Sequence, residues 1–210
     1  MRRQHSFPIV ATLWVASAIV AGAQDEGVKQ VQQLVKRANS TVEAINDAKV
    51  QLQKTMAAYD AVLAPDTTDR RGAYKKLQKE MANTEKKRAD VAERSKEMNA
   101  QADTVFKNWE GSTAAISDPA LRKRSEDRLA QTKERFGAIR NTGQEATELY
   151  APFMKSLQDQ VTFLGNDLNA SAVASLAPDA AKLKANATEL YAAIDKTTAA
   201  ANANIAALKS

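Results

Sequence analysis

Residues 28–63, VKQVQQLVKRANSTVEAINDAKVQLQKTMAAYDAVL, decide the fold class of this chain. Apolar residues recur through the stretch at alternating steps of three and four, and one charged residue interrupts them. The positions in question are Val28, Val31, Val35, Ala38, Val42, Ile45, Lys49, Leu52, Met56, Tyr59 and Leu63. Five sustained heptads predict one α-helix with a narrow coiled-coil seam. At 1.5 Å per residue this helix would be on the order of 50 Å long.

Two further long helices follow. The first predicted helix ends at Pro65, because proline cannot continue the helical hydrogen bonds, and the pattern resumes over residues 73–109. Asp118 followed by Pro119 predicts the start of a third helix, with a capping carboxylate and a proline near the first helical position.

Prolines are expected to disturb the second half of the chain. Pro152 lies inside the third predicted helix, where it would kink the backbone near Ala151, and Gly143 and Gly165 are weaker points. The fourth helix is predicted to start within residues 169–172. Pro178 is expected to break or kink its first turns.

The middle of the second predicted helix is polar. Thr84, Arg88 and Ser95 occupy positions that the pattern otherwise gives to apolar side chains. Arg88 is expected to lay its aliphatic part along the helix and to place its guanidinium in water. A buried polar network or a ligand site is the alternative. The sequence favours a solvated Arg88 over both of these.

Composition agrees with an all-α fold. The 210 residues contain no cysteine, 7 glycines, 5 prolines and 5% aromatic residues, a mixture that favours helix over sheet. We predict about four long antiparallel helices with coiled-coil heptads, packed as an elongated bundle or a rod. A homo-oligomer that completes this packing is an open alternative.

The beginning of the chain predicts a secretory signal peptide. Arg2 and Arg3 precede an apolar run over residues 7–21, and Ala21 and Ala23 form a small-x-small cleavage pattern. The run is shorter than the ~20 residues that a membrane-spanning helix needs. Cleavage after Ala23 would divide the chain into a signal peptide, residues 1–23, and a single helical domain, residues 24–210. The predicted location is the periplasm, and without cysteine the protein is not expected to be a lipoprotein.

The charge of the chain is mildly positive, with 30 basic and 25 acidic residues. The two signs are interleaved, which is typical of solvated helix faces and does not indicate nucleic-acid binding. Two basic clusters stand out and form a candidate surface for acidic envelope partners, with weak contact to anionic lipid headgroups as a further alternative. They consist of Lys86, Lys87, Arg122, Lys123 and Arg124.

The residues required by familiar catalytic sites are missing. The sole histidine, His5, would leave with the signal peptide, which removes serine-histidine-aspartate catalysis and imidazole metal ligation. The sequence has no Gly-x-x-x-x-Gly-Lys-Ser/Thr phosphate-binding loop. Glu145 and Glu148 could bind a cation or act as acid and base, but their helical spacing is more typical of a solvated face. We therefore expect a protein that is not an enzyme and uses no cofactor.

One stretch carries a resemblance to a known family. Pro152-Phe153 is followed by residues 159–164, DQVTFL, and by residues 166–170, NDLNA. With the upstream residues Leu121, Arg122, Ser125, Leu129 and Thr132, this pattern resembles domain-of-unknown-function family 2959 over residues 106–208, and more loosely in the first helix. The residues of the family-like motif are Asp159, Gln160, Phe163, Leu164, Asn166, Leu168 and Asn169.

The resemblance implies an exported helical protein of the cell envelope and supplies no catalytic residues. Members often carry a lipoprotein cysteine after the signal, and this chain has none. From the residues themselves, the amides of Asn166 and Asn169 and the carboxylate of Asp167 are suited to a cap or turn between the third and fourth helices. A ligand site is the less favoured interpretation.

These observations favour a non-enzymatic scaffold or adaptor in the cell envelope, with protein partners. The first alternative is a holdase-like periplasmic chaperone, which accessible apolar inner faces would favour. The second is a peripheral binder of anionic membrane surfaces. An unfamiliar hydrolase ranks last.

Overall fold

The computed structural model describes the backbone of residues 16–209 and the side chains of residues 26–209. This part of the chain is helical apart from short turns and contains no strand. Its helices are α1 (Ala16–Leu63), α2 (Arg70–Ala114), α3 (Pro119–Asn166), α4 (Ala170–Ser175) and α5 (Ala177–Lys209). The predicted n-region, Arg2 and Arg3, and the first part of the apolar run lie outside the described residues. The backbone at Ala21 and Ala23 is part of α1.

The four long helices form a bundle of two antiparallel hairpins. α1 packs most extensively on α2, and α3 on α5, so each hairpin has its own interface. The hairpins meet where α1 lies against α5 and where α2 lies against α3, and the α2–α3 contact is the sparser of the two. The all-α prediction is confirmed, and the packing is a helical bundle.

Side-chain caps fix the ends of the helices. Asp69 accepts a hydrogen bond from the backbone N–H of Gly72 and starts α2 three residues earlier than predicted. Asp118 caps α3 as predicted, accepting from the N–H groups of Ala120 and Leu121 at 2.8 and 2.9 Å. Each cap satisfies N–H groups that have no partner in the first helical turn.

The structure extends α2 beyond the predicted end at residue 109, through Gly111 and Ser112, to Ala114. Polar contacts with α3 hold this last part. The indole N–H of Trp109 donates to the hydroxyl of Ser125 at 3.0 Å, and the hydroxyl of Thr113 lies 2.6 Å from the same oxygen.

Both internal prolines are accommodated. α3 is continuous through Pro152, whose ring is exposed. The helix is interrupted at Leu176, between α4 and α5, close to the predicted position. Pro178 lies in the first turn of α5, where a backbone N–H has no helical partner and its absence costs nothing.

The buried side chains form two separate clusters along the bundle axis. The Tyr59 cluster lies at the α1–α2 turn and is centred on Leu52, Tyr59, Leu77, Leu157 and Leu183. The Phe106 cluster lies at the α2–α3 turn and is centred on Leu34, Met98, Phe106, Phe136 and Ile205. The middle of the bundle, between the clusters, has fewer large apolar side chains.

α1 buries a wider stripe than the predicted narrow seam. Leu34 and Val62 lie outside the seam positions yet are 1% and 0% exposed. The stripe is wide because α1 contacts two neighbours, α2 on one side and α5 on the other. Lys49 is the predicted interruption, and it ion-pairs with Asp195 of α5 at 2.6 Å.

Candidate functional site: a cleft between the hairpins

A cavity of about 800 Å³ occupies the middle of the bundle, between the Tyr59 and Phe106 clusters. We call it the inter-hairpin cleft. All four long helices line it, and the side chains that matter below are Thr41 and Ile45 of α1; Thr84, Glu85, Arg88, Val91, Ala92, Ser95, Met98 and Asn99 of α2; Arg140, Gly143, Gln144, Thr147, Tyr150 and Met154 of α3; and Leu190, Ile194 and Thr197 of α5.

The cleft opens between α2 and α3. The exposed residues of its lining, such as Ala92 and Gln144, all belong to these two helices. The lining residues of α1 and α5 are buried or half-buried, so these helices form a closed floor. The opening follows from the sparse contact between α2 and α3.

The interior of the cleft is apolar although it contains several threonines. Thr41, Thr147 and Thr197 donate their hydroxyls back to carbonyls of their own helices, at 2.9 to 3.0 Å. Thr84 hydrogen-bonds the hydroxyl of Thr55 at 2.8 Å. These hydroxyls therefore have their hydrogens engaged, and the threonines offer the cavity their methyl groups and no free donor. No charged residue of α1 or α5 lines the cleft.

A cluster of three polar side chains closes the end of the opening next to the Tyr59 cluster. The hydroxyl of Tyr150 donates to Glu85 Oε1 at 2.9 Å, and Arg88 Nε donates to Glu85 Oε2 at 3.0 Å. The Arg88 guanidinium also lies 6.0 Å from the centre of the Tyr150 ring. Burial, reinforced by the Glu85 carboxylate, raises the pKa of Tyr150. This group joins α2 to α3.

A second polar group bounds the other end. Arg140 of α3 donates through Nε to Asn99 Oδ1 at 3.0 Å and through Nη2 to Asp103 Oδ1 at 2.7 Å. Its guanidinium lies 5.0 Å from the centre of the Phe136 ring. Arg140 and Tyr150 are ten residues apart on α3, which corresponds to about 15 Å of helix. Over that length no side-chain hydrogen bond or ion pair joins α2 to α3 among the described residues.

Gly143 faces the cleft from the middle of α3. A Cβ atom built on it would meet only Thr197 Cγ2, at an ordinary distance of 3.8 Å. Glycine in a helix interior is less stable than alanine by about 0.5–1 kcal/mol. The packing of the chain therefore gives no reason for a glycine at this position, and its effect is to widen the cleft.

Comparison with known families agrees with the sequence analysis. Residues 21–208 match the family model described as protein of unknown function (DUF2959). The chain belongs to this family. No curated protein and no solved structure matches it.

The residues that carried the resemblance to DUF2959 have mainly structural environments. Gln160 is buried and accepts a hydrogen bond from the Tyr59 hydroxyl, and Leu164 is fully buried in the Tyr59 cluster. Leu168 packs against that cluster. Asn169 caps α4 by accepting from the N–H of Ala172, and Asp167 accepts from the N–H of Asn169, as predicted for this turn.

Like Asn169, the three other motif residues lie on the surface. Asp159 pairs with Lys155 at 2.9 Å, Phe163 is 42% exposed, and Asn166 is exposed at the end of α3. Asp159 and Phe163 border a shallow depression between α3 and α5. The motif residues do not reach the inter-hairpin cleft.

The basic candidate residues do not form one surface. Trp109 contacts Ser125, so Arg122, Lys123 and Arg124 lie level with the end of α2. Lys86 precedes Trp109 by 23 residues, or about 35 Å along the helix. Several of these charges are already engaged: Lys87 pairs with Asp47, Lys123 pairs with Asp127, and Arg122 donates to the carbonyl of Ile116. The Lys87 ammonium lowers the pKa of Asp47.

The three polar residues of α2 do mark the cleft. Thr84, Arg88 and Ser95 all line it. Arg88 reaches water, as the favoured interpretation expected, with its side chain 53% exposed. The cavity itself was not predicted. The signal for it was present, because the polar middle of α2 lies opposite Gly143 of α3 and the small residues Thr197 and Ala201 of α5.

Other functional signals are absent from the described part of the chain. None of its helices is long and apolar enough to cross a membrane. It contains no group of three or more histidine, cysteine, aspartate or glutamate side chains that could hold a metal ion. Glu145 and Glu148 are exposed, and Glu148 accepts from Gln144 at 2.9 Å.

Proposed function

We propose that this protein is a non-enzymatic binding protein, a scaffold or adaptor of the cell envelope, that holds an apolar group of its partner in the inter-hairpin cleft. The observation that carries the proposal is the apolar cavity between α2 and α3. Its volume of about 800 Å³ lies within the range of about 300–1,000 Å³ that ligand pockets occupy. Its charged groups, Glu85, Arg88 and Arg140, lie at the ends of the opening, where they would orient a ligand.

Binding is favoured over catalysis by the chemistry of the lining. Glu85 is the one carboxylate among the lining residues, and both of its oxygens are engaged, by Tyr150 and by Arg88. Each oxygen keeps a second lone pair, but the lining holds no second carboxylate and no histidine that could form an acid–base pair with Glu85. The envelope location rests on the predicted signal peptide, and it is tested by fractionating cells and sequencing the N-terminus. We expect a periplasmic chain that begins at Gln24; a chain that keeps Met1 in the cytoplasm would contradict this.

A holdase-like chaperone is the second candidate, because the cleft between α2 and α3 has a largely apolar floor formed by α1 and α5. An adaptor would take one or two defined partners, whereas a holdase would take many unfolded ones. The basic clusters give less support to a membrane-surface binder, since they are separated along the bundle.

Site-specific photo-cross-linking tests the proposal. A photoreactive residue replaces Gln144 at the mouth of the cleft, or Ala57 on the exposed face of α1 as the matched control. Cross-linking is carried out in living cells, and the adducts are identified by mass spectrometry. We expect adducts at position 144 that are absent at position 57 and that decrease when the cleft is filled by Gly143→Leu.

The pattern of adducts separates the candidates. One or two recurring partners support the adaptor, and a broad set of unfolded envelope proteins supports the holdase. Equal adducts at positions 144 and 57, unaffected by Gly143→Leu, would show that the cleft is not the binding site.

A further inference from the structure

We infer that the group held in the inter-hairpin cleft is a single long acyl chain of an anionic amphiphile, whose acidic headgroup binds Arg88. This inference rests on the proposed function and names the chemical class of its ligand. Both a free fatty acid and a lysophospholipid have this chemistry.

The cleft is long and narrow, a shape that suits an extended acyl chain better than a helix. The cleft extends from Met154 to Ile139 on α3, a length of about 20 Å. Spread over that length, 800 Å³ corresponds to a mean cross-section of about 40 Å². An α-helix with its side chains is about 10–12 Å across, which gives it a cross-section of roughly 80–110 Å². A partner helix would therefore not enter the cleft without further separation of the hairpins.

The lining also disfavours an extended peptide. Every peptide unit carries an N–H and a C=O group that must be paired when buried. The hydroxyls of Thr41, Thr147 and Thr197 already donate within their own helices, so these threonines have no donor left for the C=O groups of a peptide. Burial of an unpaired amide costs several kcal/mol in an apolar medium. A hydrocarbon chain has no such groups and gains free energy from the same surface.

The two ends of the opening differ in what they offer a headgroup. Arg140 is held by Asn99 and Asp103 through two of its nitrogens. Arg88 uses only Nε, toward Glu85, and its Nη1 and Nη2 atoms have no acceptor among the described residues. Two parallel N–H groups of a guanidinium match the two oxygens of a carboxylate or phosphate. The acidic headgroup is therefore placed at Arg88, beside Tyr150.

Gly143 provides space for the acyl chain. It faces the cleft between the two polar ends, and a larger side chain there would project toward Thr197 across the cavity. The same helix contains Gly137, which does not line the cleft and where a Cβ would meet no atom within 4 Å. These glycines form a matched pair for substitution.

Calorimetric titration of the full chain tests the inference. The probes are palmitate, 1-palmitoyl-lysophosphatidylglycerol and the neutral 1-palmitoylglycerol, each below its critical micelle concentration. We expect at least one anionic probe to bind with one site per chain and to bind about tenfold more tightly than the neutral probe, a difference of about 1.4 kcal/mol. Binding of palmitate alone identifies a free fatty acid as the source; binding of the lysophosphatidylglycerol alone identifies a lysophospholipid.

Two pairs of variants test where the acyl chain and the headgroup bind. Gly143→Leu should weaken binding of every probe about tenfold or more, and Gly137→Leu should not. Arg88→Gln should reduce the affinity of the anionic probes to that of the neutral one, while Arg135→Gln, at an exposed arginine of α3 outside the cleft, should leave it unchanged.

The inference and the proposed function can fail separately. Equal affinity for neutral and anionic probes, or equal loss in Gly143→Leu and Gly137→Leu, would overturn the inference. If no acyl probe binds but a polypeptide cross-links at position 144, the acyl inference is wrong and the binding function stands. If neither occurs, both are wrong.

Discussion

At the scale of single residues, the glycines of α3 are not equivalent. A Cβ at Gly143 meets Thr197 Cγ2 at 3.8 Å, but a Cβ at Gly165 would lie 2.6 Å from the hydroxyl of Tyr74. That hydroxyl donates to the carbonyl of Val161 at 3.0 Å. The space at one glycine is open, and at the other it is filled by a side chain with a fixed partner.

We expect Gly143→Ala to raise the free energy of unfolding by about 0.5–1 kcal/mol, because alanine is the better helix former and has room. Gly165→Ala should give no gain, or a loss of up to about 1 kcal/mol, because Tyr74 must move and its hydrogen bond is lost. Urea unfolding followed by circular dichroism measures both. A Gly143→Ala variant less stable than Gly165→Ala would contradict the open space at Gly143.

The second residue-scale prediction concerns Tyr59, whose side chain is fully buried and whose hydroxyl donates to Gln160 Oε1. Tyr59→Phe leaves that oxygen buried without its donor and should cost about 1–3 kcal/mol. Tyr191→Phe is the control, since Tyr191 is half-buried beside the same cluster. Equal losses in the two variants, measured by urea unfolding, would show that the hydrogen bond contributes nothing specific.

Sequence reasoning was less successful at this scale than at larger ones. It identified Asn169 and Asp118 as caps, because the capping preference depends on local chemistry. It did not foresee that Gln160 would meet Tyr59, a contact across 101 residues of sequence. Contacts between distant helices depend on helix rotation, which a heptad pattern fixes only approximately.

At the scale of the helices, the capping carboxylate of α3 is the clearest test. Asp118 satisfies two N–H groups of the first turn. Asp118→Ala should lower the free energy of unfolding by about 1 kcal/mol, and Asp118→Asn, which keeps an acceptor, should lower it much less. If thermal or urea unfolding gives the two variants the same stability, the cap is not stabilising α3.

The helices themselves were predictable because apolar periodicity and proline positions are properties of the sequence. Their ends were less so. α2 runs past residue 109 because Trp109 and Thr113 bind Ser125 of another helix, and no local signal contains that contact. The cleft was missed for a related reason. A stretch of small or polar residues on the inner face of one helix leaves a cavity only when similar stretches of the neighbouring helices lie at the same level of the bundle.

At the scale of the whole molecule, buried tyrosines make the free energy of unfolding depend on pH in the alkaline range. Burial is the main cause that raises the pKa of Tyr59, Tyr150 and Tyr191 in the folded protein. In the unfolded chain tyrosine ionises near pH 10. Below that pH both states hold the proton. As the pH rises above about 10 the unfolded state loses protons first, so the free energy of unfolding falls.

We therefore expect urea unfolding to show decreasing stability between about pH 9 and 11, and a shallower decrease in Tyr150→Phe. Comparison of slopes separates the tyrosine from the lysines, which also titrate in this range and are unchanged in the variant. Identical slopes in the two proteins would show that Tyr150 does not contribute.

The arrangement of the floor has a consequence for the order of folding. α1 and α5, the first and last long helices among the described residues, together form the closed wall of the cleft. Each hairpin has mainly local contacts and can form early, whereas the wall joins residues about 150 positions apart in sequence and must form late. A growing chain that has not yet supplied α5 has the first hairpin but no cleft. A ligand that binds only the finished cleft would act after α5 has been made, by favouring the docked state over the two separate hairpins.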